Sequence, residues 1–73
     1  MKHNNIKALE IAICLMRYEG SALDLSPQFI TDDGWNLWVE DPRGNLIEGW
    51  SVETEVEGEA IVDIALSALE AIK

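Results

Sequence analysis

The segment from Ile30 to Trp50 constrains the fold more than any other, because a turn sequence separates two apolar runs within it. Residues 41–44 read Asp-Pro-Arg-Gly, and Asp at the first, Pro at the second and Gly at the fourth position are the preferences of a type I turn. The flanking runs are rich in Trp, Ile, Leu and Val, which suit a pleated, half-buried surface. The segment therefore predicts a β-hairpin.

Further elements extend this hairpin on both sides. Asp33-Gly34 is a second turn signal, and it can join an earlier strand around Gln28–Thr31 to the hairpin. Helical spacing of apolar residues runs over Asn5–Glu19 and over Glu59–Ile72. The chain is therefore predicted to be one α+β domain, residues 1–73. Its order is α-β-β-β-α, with a three-stranded antiparallel meander packed with two helices.

The first predicted helix has an apolar stripe that we expect to face the sheet. Its members recur with the spacing of one helical face: Ile6, Leu9, Ile13 and Met16, widened by Ala12 and Leu15. Ile11 and Tyr18 lie off this stripe, so the helix is apolar over more than half of its circumference. Gly20 stands where a left-handed residue would end the helix. Ser21–Pro27 is predicted to be a connector with at most a single helical turn.

Two competing patterns mark the start of the second helix. Residues 51–57 alternate with period two, which would continue the second hairpin strand, whereas Thr54 and Glu57 form a capping box. We expect the strand to end near Thr54. The helix that follows carries a wide apolar stripe made of Ile61, Ile64, Ala65, Ala68, Leu69 and Ile72.

A four-residue turn would set the hairpin register so that Val39 opposes Leu46 and Trp38 opposes Ile47. One face would then carry the core residues Trp35, Leu37, Val39, Leu46 and Trp50. The other face would carry Trp38 and Ile47, where we expect a protein partner, a helix or a second copy of the chain to pack. A bulge at Gly49 would shift these assignments by one residue.

The charge and the composition exclude several classes of partner. Fourteen acidic against five basic residues give a net charge of −9, which disfavours direct nucleic-acid binding and attachment to anionic membranes. No stretch is long enough to span a bilayer and Cys14 is the only cysteine, so the chain is predicted to be cytoplasmic. Apolar residues make up 48% of the chain, more than so small a domain buries easily, which predicts a homodimer.

Residues suited to catalysis or metal binding are scarce or badly placed. The only histidine is His3, and the lysines lie near the chain ends, so no nucleophile has an evident base. The pairs Asp32-Asp33 and Glu40-Asp41 lack the spacing of a calcium-binding loop and are better explained as solvated acids. We therefore predict no enzymatic activity, no metal site and no cofactor, with Cys14 as a core residue or a partly exposed thiol.

The acidic segment of Glu53, Glu55, Glu57 and Glu59 is a second candidate contact. On a strand the first three carboxylates would stand about 6.6 Å apart, which gives a line of charge similar to a nucleic-acid backbone. An inhibitor that mimics nucleic acid needs such a line. Acidic residues at a sheet edge also prevent aggregation, which is the alternative explanation.

Several short motifs resemble those of the phage ABA sandwich family of small α/β domains. They are Asp-Asp-Gly-Trp-Asn-Leu-Trp-Val-Glu-Asp at 32–41, Leu-Ile-Glu-Gly-Trp at 46–50, and a closing helix at 58–72 that opens with Gly-Glu-Ala. The same part of the chain also resembles antitoxins of the HicB type, which normally begin with a strand where this chain has a helix. The first resemblance implies a phage or prophage origin and says little about activity.

Together these patterns predict a small acidic, non-catalytic interaction protein that dimerises and binds a host or phage protein. It could inhibit nucleic-acid-handling machinery by occupying a basic groove. A HicB-like antitoxin and small-molecule binding at an oligomer interface are the alternatives. The predicted contact residues are Trp38, Ile47, Glu53, Glu55, Glu57 and Glu59.

Overall fold

A computed structural model describes residues 2–27 and 34–72 of the chain and confirms the α+β architecture. The elements are α1 (Lys2–Arg17), β1 (Ala22–Pro27), β2 (Trp35–Glu40), β3 (Leu46–Val52) and α2 (Glu55–Ile72). The three strands form one antiparallel sheet in the order β1-β2-β3. Both helices contribute to a single core against the same face of the sheet, which gives two layers.

The first strand of the sheet is not the predicted one. The segment read as a connector, Ser21–Pro27, contains β1, and the strand expected around Gln28–Thr31 lies outside the described residues. Leu23 and Leu25 alternate along β1 and oppose Val39 and Leu37 of β2. This period-two pattern prevails over the local capping signal because pairing with β2 lets both leucines pack against the core.

The helix termini follow the local signals in the sequence. Gly20 has a φ of +82°, and the Ser21 N–H donates to the Tyr18 carbonyl at 3.1 Å, so the predicted left-handed exit from α1 is confirmed. At α2 the Thr54 hydroxyl accepts a hydrogen bond from the Glu57 N–H at 3.1 Å. The strand therefore ends before Thr54, as expected.

The orientation of α1 differs from the prediction. Ala8, Ile11 and Ala12 are fully buried, whereas the stripe expected to face the sheet is about half exposed. The exposed fractions in that stripe are 54% for Ile6, 51% for Leu9, 48% for Ile13 and 52% for Met16. The opposite face packs inward because α1 contacts α2 as well as the sheet, and the small side chains of Ala8 and Ala12 allow a close approach.

The hairpin turn is of the predicted kind, with one added residue. The Gly44 N–H donates to the Asp41 carbonyl at 2.9 Å, as in a type I turn, and Gly44 then adopts a φ of +86°. Because Asp41 pairs with Asn45 across this loop at 2.9 Å, Glu40 opposes Leu46 and not Asn45. A bulge follows, so that Val39 opposes Glu48.

The core lies between the two helices and the middle of the sheet. Ile11, Leu37, Val39 and Ile61 are its largest fully buried side chains. At Gly58, α2 comes so close to the sheet that an added Cβ would lie 2.7 Å from Leu25 Cδ1. A further tie joins distant parts of the chain, since Lys7 Nζ donates to the Ser51 carbonyl at 2.9 Å.

Candidate protein-interaction site

The sheet face opposite the helices is the first candidate surface, and we call it the outer face. Its residues alternate along the strands with those that face the core: Ala22, Asp24, Ser26, Asn36, Trp38, Glu40, Leu46, Gly49 and Ser51. Neither of the two described helices packs on this side. Trp38 lies at its centre, opposite Asp24 on one neighbouring strand and Gly49 on the other.

The bulge in β3 exchanges two residues between the faces. Ile47, predicted to accompany Trp38 on the outer face, packs against the core instead. Leu46, predicted to lie in the core, pairs with Glu40 on the outer face and is 64% exposed. The predicted pair of Trp38 and Ile47 is therefore wrong, and the apolar residue that shares the outer face with Trp38 is Leu46.

A hydrogen bond fixes the indole of Trp38. Its Nε1–H donates to Glu40 Oε1 at 2.6 Å, and the two residues lie two positions apart on the same face of β2. Trp38 remains only half-buried, so part of the ring is accessible to another molecule. A side chain held in one orientation loses little conformational freedom when a partner covers it.

The chemistry around Trp38 suits a positively charged group. Asp24 and Glu40 place two carboxylates beside an aromatic ring. An Arg or Lys side chain can lie over an indole face while its charged end meets a carboxylate. The geometry therefore favours a basic residue of a partner over an acidic one.

The acidic segment of Glu53, Glu55, Glu57 and Glu59 does not form an extended row. β3 ends at Val52 and α2 begins at Glu55, so only Glu53 lies outside the helix. In a helix, Glu55 and Glu59 share a face, whereas Glu57 is turned away and is half-buried. The spacing needed to imitate a nucleic-acid backbone is therefore absent from these residues, although acidic side chains here stabilise the N-terminus of α2.

The groups considered for catalysis and metal binding lie apart. Among residues 2–27 and 34–72, no cluster of three or more His, Cys, Asp or Glu side chains could hold a metal ion. Cys14 is a free thiol and only 5% exposed. Burial raises the pKa of the Cys14 thiol, Glu48 raises it further, and Arg17 partly opposes the shift. Cys14 is thus a core residue and not an activated nucleophile.

We expect native Cys14 to react slowly with thiol reagents. Its reaction with Ellman's reagent should be more than about tenfold slower in buffer than in concentrated urea, because burial hides the thiol and disfavours the thiolate. The control is Ala60→Cys in a Cys14→Ala background, since position 60 is exposed on α2. Equal rates for the two native proteins would contradict the buried placement.

An apolar groove of about 630 Å³ opens beside α2. It is lined mainly by Leu15, Met16, Leu23, Val62, Leu66 and Leu69. Ser21 also lines the groove, and its hydroxyl oxygen is buried without a hydrogen-bond partner. The polar contribution to this lining is too small to select a ligand of defined chemistry.

The turn that joins β2 and β3 depends on the carboxylate of Asp41. Asp41 Oδ1 accepts from the Arg43 N–H and from the Asn45 N–H, each at 2.9 Å. These bonds, with that to Asn45 first, lower the pKa of Asp41 from its ordinary value of 3.8. The ionised carboxylate therefore holds together the two strands that carry Trp38 and Leu46.

Acid is expected to remove this contribution to stability. A lowered pKa in the folded state means that the contribution is complete above the unfolded pKa and disappears as pH falls through the folded value. The stability difference between the native chain and Asp41→Asn should therefore shrink below a pH of about 3.8, measured by urea unfolding. Asp63→Asn, at an exposed position of α2, is the control for the change in net charge. A difference that is independent of pH would contradict this role.

Comparison with protein-family models, with curated proteins and with solved structures finds no match to this chain. Over the part of the chain that the structure describes, neither helix combines the length and the apolarity needed to cross a membrane. The resemblance to phage ABA sandwich domains stays a prediction.

Proposed function

We propose that this chain is a small acidic, non-catalytic interaction protein that binds a basic surface of another protein through its outer face. The observation that carries this proposal is Trp38, which is half-buried on an uncovered sheet face and oriented by its bond to Glu40. Tryptophan is enriched among the residues that dominate binding energy at protein interfaces. Leu46 adds exposed apolar surface on the same face.

The charge of the chain supports a basic protein as the partner. With a net charge of −9, the chain repels phosphate backbones and attracts positively charged surfaces. Glu53, Glu55 and Glu59 are exposed and add to the negative field, without the linear spacing of a nucleic-acid mimic. Complementary charge of this kind raises the rate of encounter more than it raises the final affinity.

The biological setting that we propose follows from the resemblance to phage-encoded domains. The chain would act in the cytoplasm of a bacterium, as a homodimer, on a host or phage protein that handles nucleic acid. By occupying a basic groove it would keep the natural ligand out. Inhibition then needs negative charge and an aromatic anchor, and no catalytic group.

The test compares proteins retained from an extract of the bacterium that carries the gene. The immobilised native chain should retain a basic protein, and the purified partner should bind Trp38→Ala more than about 30-fold more weakly, the loss typical of a dominant interface residue. Binding should also weaken steeply as salt is added. Glu40→Gln is a graded control, because an amide oxygen can still accept the indole N–H while the charge is lost.

Two results would oppose the proposal. Equal affinity of the partner for the native chain and for Trp38→Ala would exclude the outer face as the site. An affinity that does not change with salt would exclude a basic surface as the complement. Val56→Ala, at a position 76% exposed on α2, serves as a control for loss of apolar surface outside the outer face.

A further inference from the structure

The outward side of α1 carries an apolar row that the described part of the molecule does not cover. We call it the α1 stripe: Ile6, Leu9, Ile13 and Met16, each about half exposed. The intervals between its members are three, four and three residues, which is the spacing of a coiled-coil seam and not of scattered surface residues. The opposite side of the same helix is already packed into the core through Ala8 and Ile11.

Charge distinguishes α1 from the rest of the molecule. Residues 2–17 contain three basic side chains and one acidic side chain, a charge of +2, so the remainder of the chain carries −11. Two copies that approached through their acidic parts would repel each other. α1 is the element through which two such acidic chains can meet with the least repulsion.

We propose that the α1 stripe is the interface of a homodimer in which the two copies of α1 pack side by side in parallel. In heptad terms, Ile6 and Ile13 occupy a positions, and Leu9 and Met16 occupy d positions. β-branched residues at a with Leu at d favour two parallel strands. The flanking g and e positions pair Asn5 with Glu10 and Ala12 with Arg17, so no two like charges oppose each other.

The position of α2 selects the parallel arrangement over the antiparallel one. α2 packs beside α1 in the helical layer, and its exposed side includes Glu59, Asp63 and Glu70. A two-fold axis along α1 keeps α1 parallel to its mate and places the two copies of α2 on opposite sides. An axis across α1 would reverse its mate and stack one acidic α2 on the other, which electrostatic repulsion disfavours.

The area of the α1 stripe is sufficient for a reversible dimer. Four half-exposed side chains present on the order of 400 Å² of apolar surface per chain, which is the size of a typical functional patch. Pairing two copies removes about twice that area from water, and the flanking side chains bring the total to about 1,000 Å², the lower bound for a specific interface. A weak dimer whose mass depends on concentration follows from this.

The inference deepens the self-association part of the proposed function, and it is tested without the foreign partner. Its failure would therefore leave the role of the outer face untouched. Sedimentation equilibrium of the native chain should give a mass that rises with concentration from 8.1 kDa toward twice that value. A mass of one chain at every concentration would overturn the inference.

A matched pair of substitutions locates the interface. Ile13→Glu puts a charge into the α1 stripe and should abolish the dimer, whereas Leu46→Glu puts the same charge on the outer face and should leave the dimer intact. Both positions are exposed, so both variants should keep the native circular dichroism spectrum. Loss of the dimer in Leu46→Glu with retention in Ile13→Glu would place the interface on the outer face and overturn the inference.

The parallel orientation has its own test. In a Cys14→Ala background, Ile6→Cys should form a disulfide-linked dimer rapidly under mild oxidation, because a parallel pair brings position 6 next to its own copy. In an antiparallel pair, position 6 would lie near Met16 of the other copy, about 15 Å along the helix from its equivalent. Linkage no faster than that of Ala60→Cys in the same background would overturn the parallel arrangement.

Discussion

Leu37→Ala is expected to remove most of the stability of the domain. Leu37 is fully buried at the middle of the central strand, where it belongs to the main core cluster. Truncating such a residue costs about 2–5 kcal/mol through lost burial and the cavity left behind. A domain of 73 residues has a free energy of unfolding near the low end of about 5–15 kcal/mol, so this variant should be largely unfolded at modest urea concentrations.

The control for Leu37 is the same substitution at Leu46. Leu46 lies in the adjacent strand but is 64% exposed, so Leu46→Ala should change the free energy of unfolding by no more than about 0.5 kcal/mol. Urea denaturation followed by tryptophan fluorescence measures both variants. Comparable losses for the two would mean that Leu46 points into the core and that the bulge in β3 is absent.

Gly58→Val is expected to be the second most damaging change. A Cβ at position 58 would lie 2.7 Å from Leu25 Cδ1 and 3.3 Å from Val52 Cγ2. The branched side chain of Val would push α2 away from both outer strands of the sheet, at a cost of about 1–3 kcal/mol from overpacking. The midpoint of thermal unfolding should fall by about 4–8 °C for each kcal/mol lost.

Gly49→Val provides a comparison with the same change in side chain. A Cβ at Gly49 would lie 3.6 Å from the Leu37 carbonyl oxygen and 3.9 Å from Trp38 Cβ, which are ordinary contacts. Position 49 lies in a strand, where Val is preferred over Gly, so this variant should be as stable as the native chain or more so. If both valines lowered stability equally, close packing at Gly58 would not be the cause.

The features that were predictable from the sequence are those that local chemistry decides. The Asp-Pro-Arg-Gly turn and the Thr54 cap each depend on residues within a few positions of one another, and both form as predicted. The order α-β-β-β-α follows from the switch between helical and alternating periodicity. The location of β1 was missed because its identity as a strand depends on pairing with β2, which is not local.

The inward face of α1 was not predictable from spacing alone. Ala8, Ile11 and Leu15 form a row as regular as the α1 stripe, and the sequence offers two apolar sides. The choice between them depends on which side can approach α2 closely, and alanines permit this where larger residues do not. A stripe of larger side chains attracts attention in a sequence, although the smaller ones lie in the core here.

The candidate site was predictable in part. Trp38 alternates with core residues of a well-marked strand, so its outward placement was correct. Leu46 and Ile47 were exchanged, because the left-handed Gly44 moves the register by one residue and the bulge moves it by another. A slip of one residue in a strand reverses the face of every side chain beyond it, so small errors at a turn become large errors at a surface.

The bond from Lys7 Nζ to the Ser51 carbonyl has a consequence for the sheet as a whole. Ser51 belongs to β3, an edge strand, and an edge carbonyl is an open template on which another extended chain can add. By placing an ammonium group there, α1 covers one position of that edge with a charge. The first helix of the chain thus helps to keep its last strand from starting an aggregate.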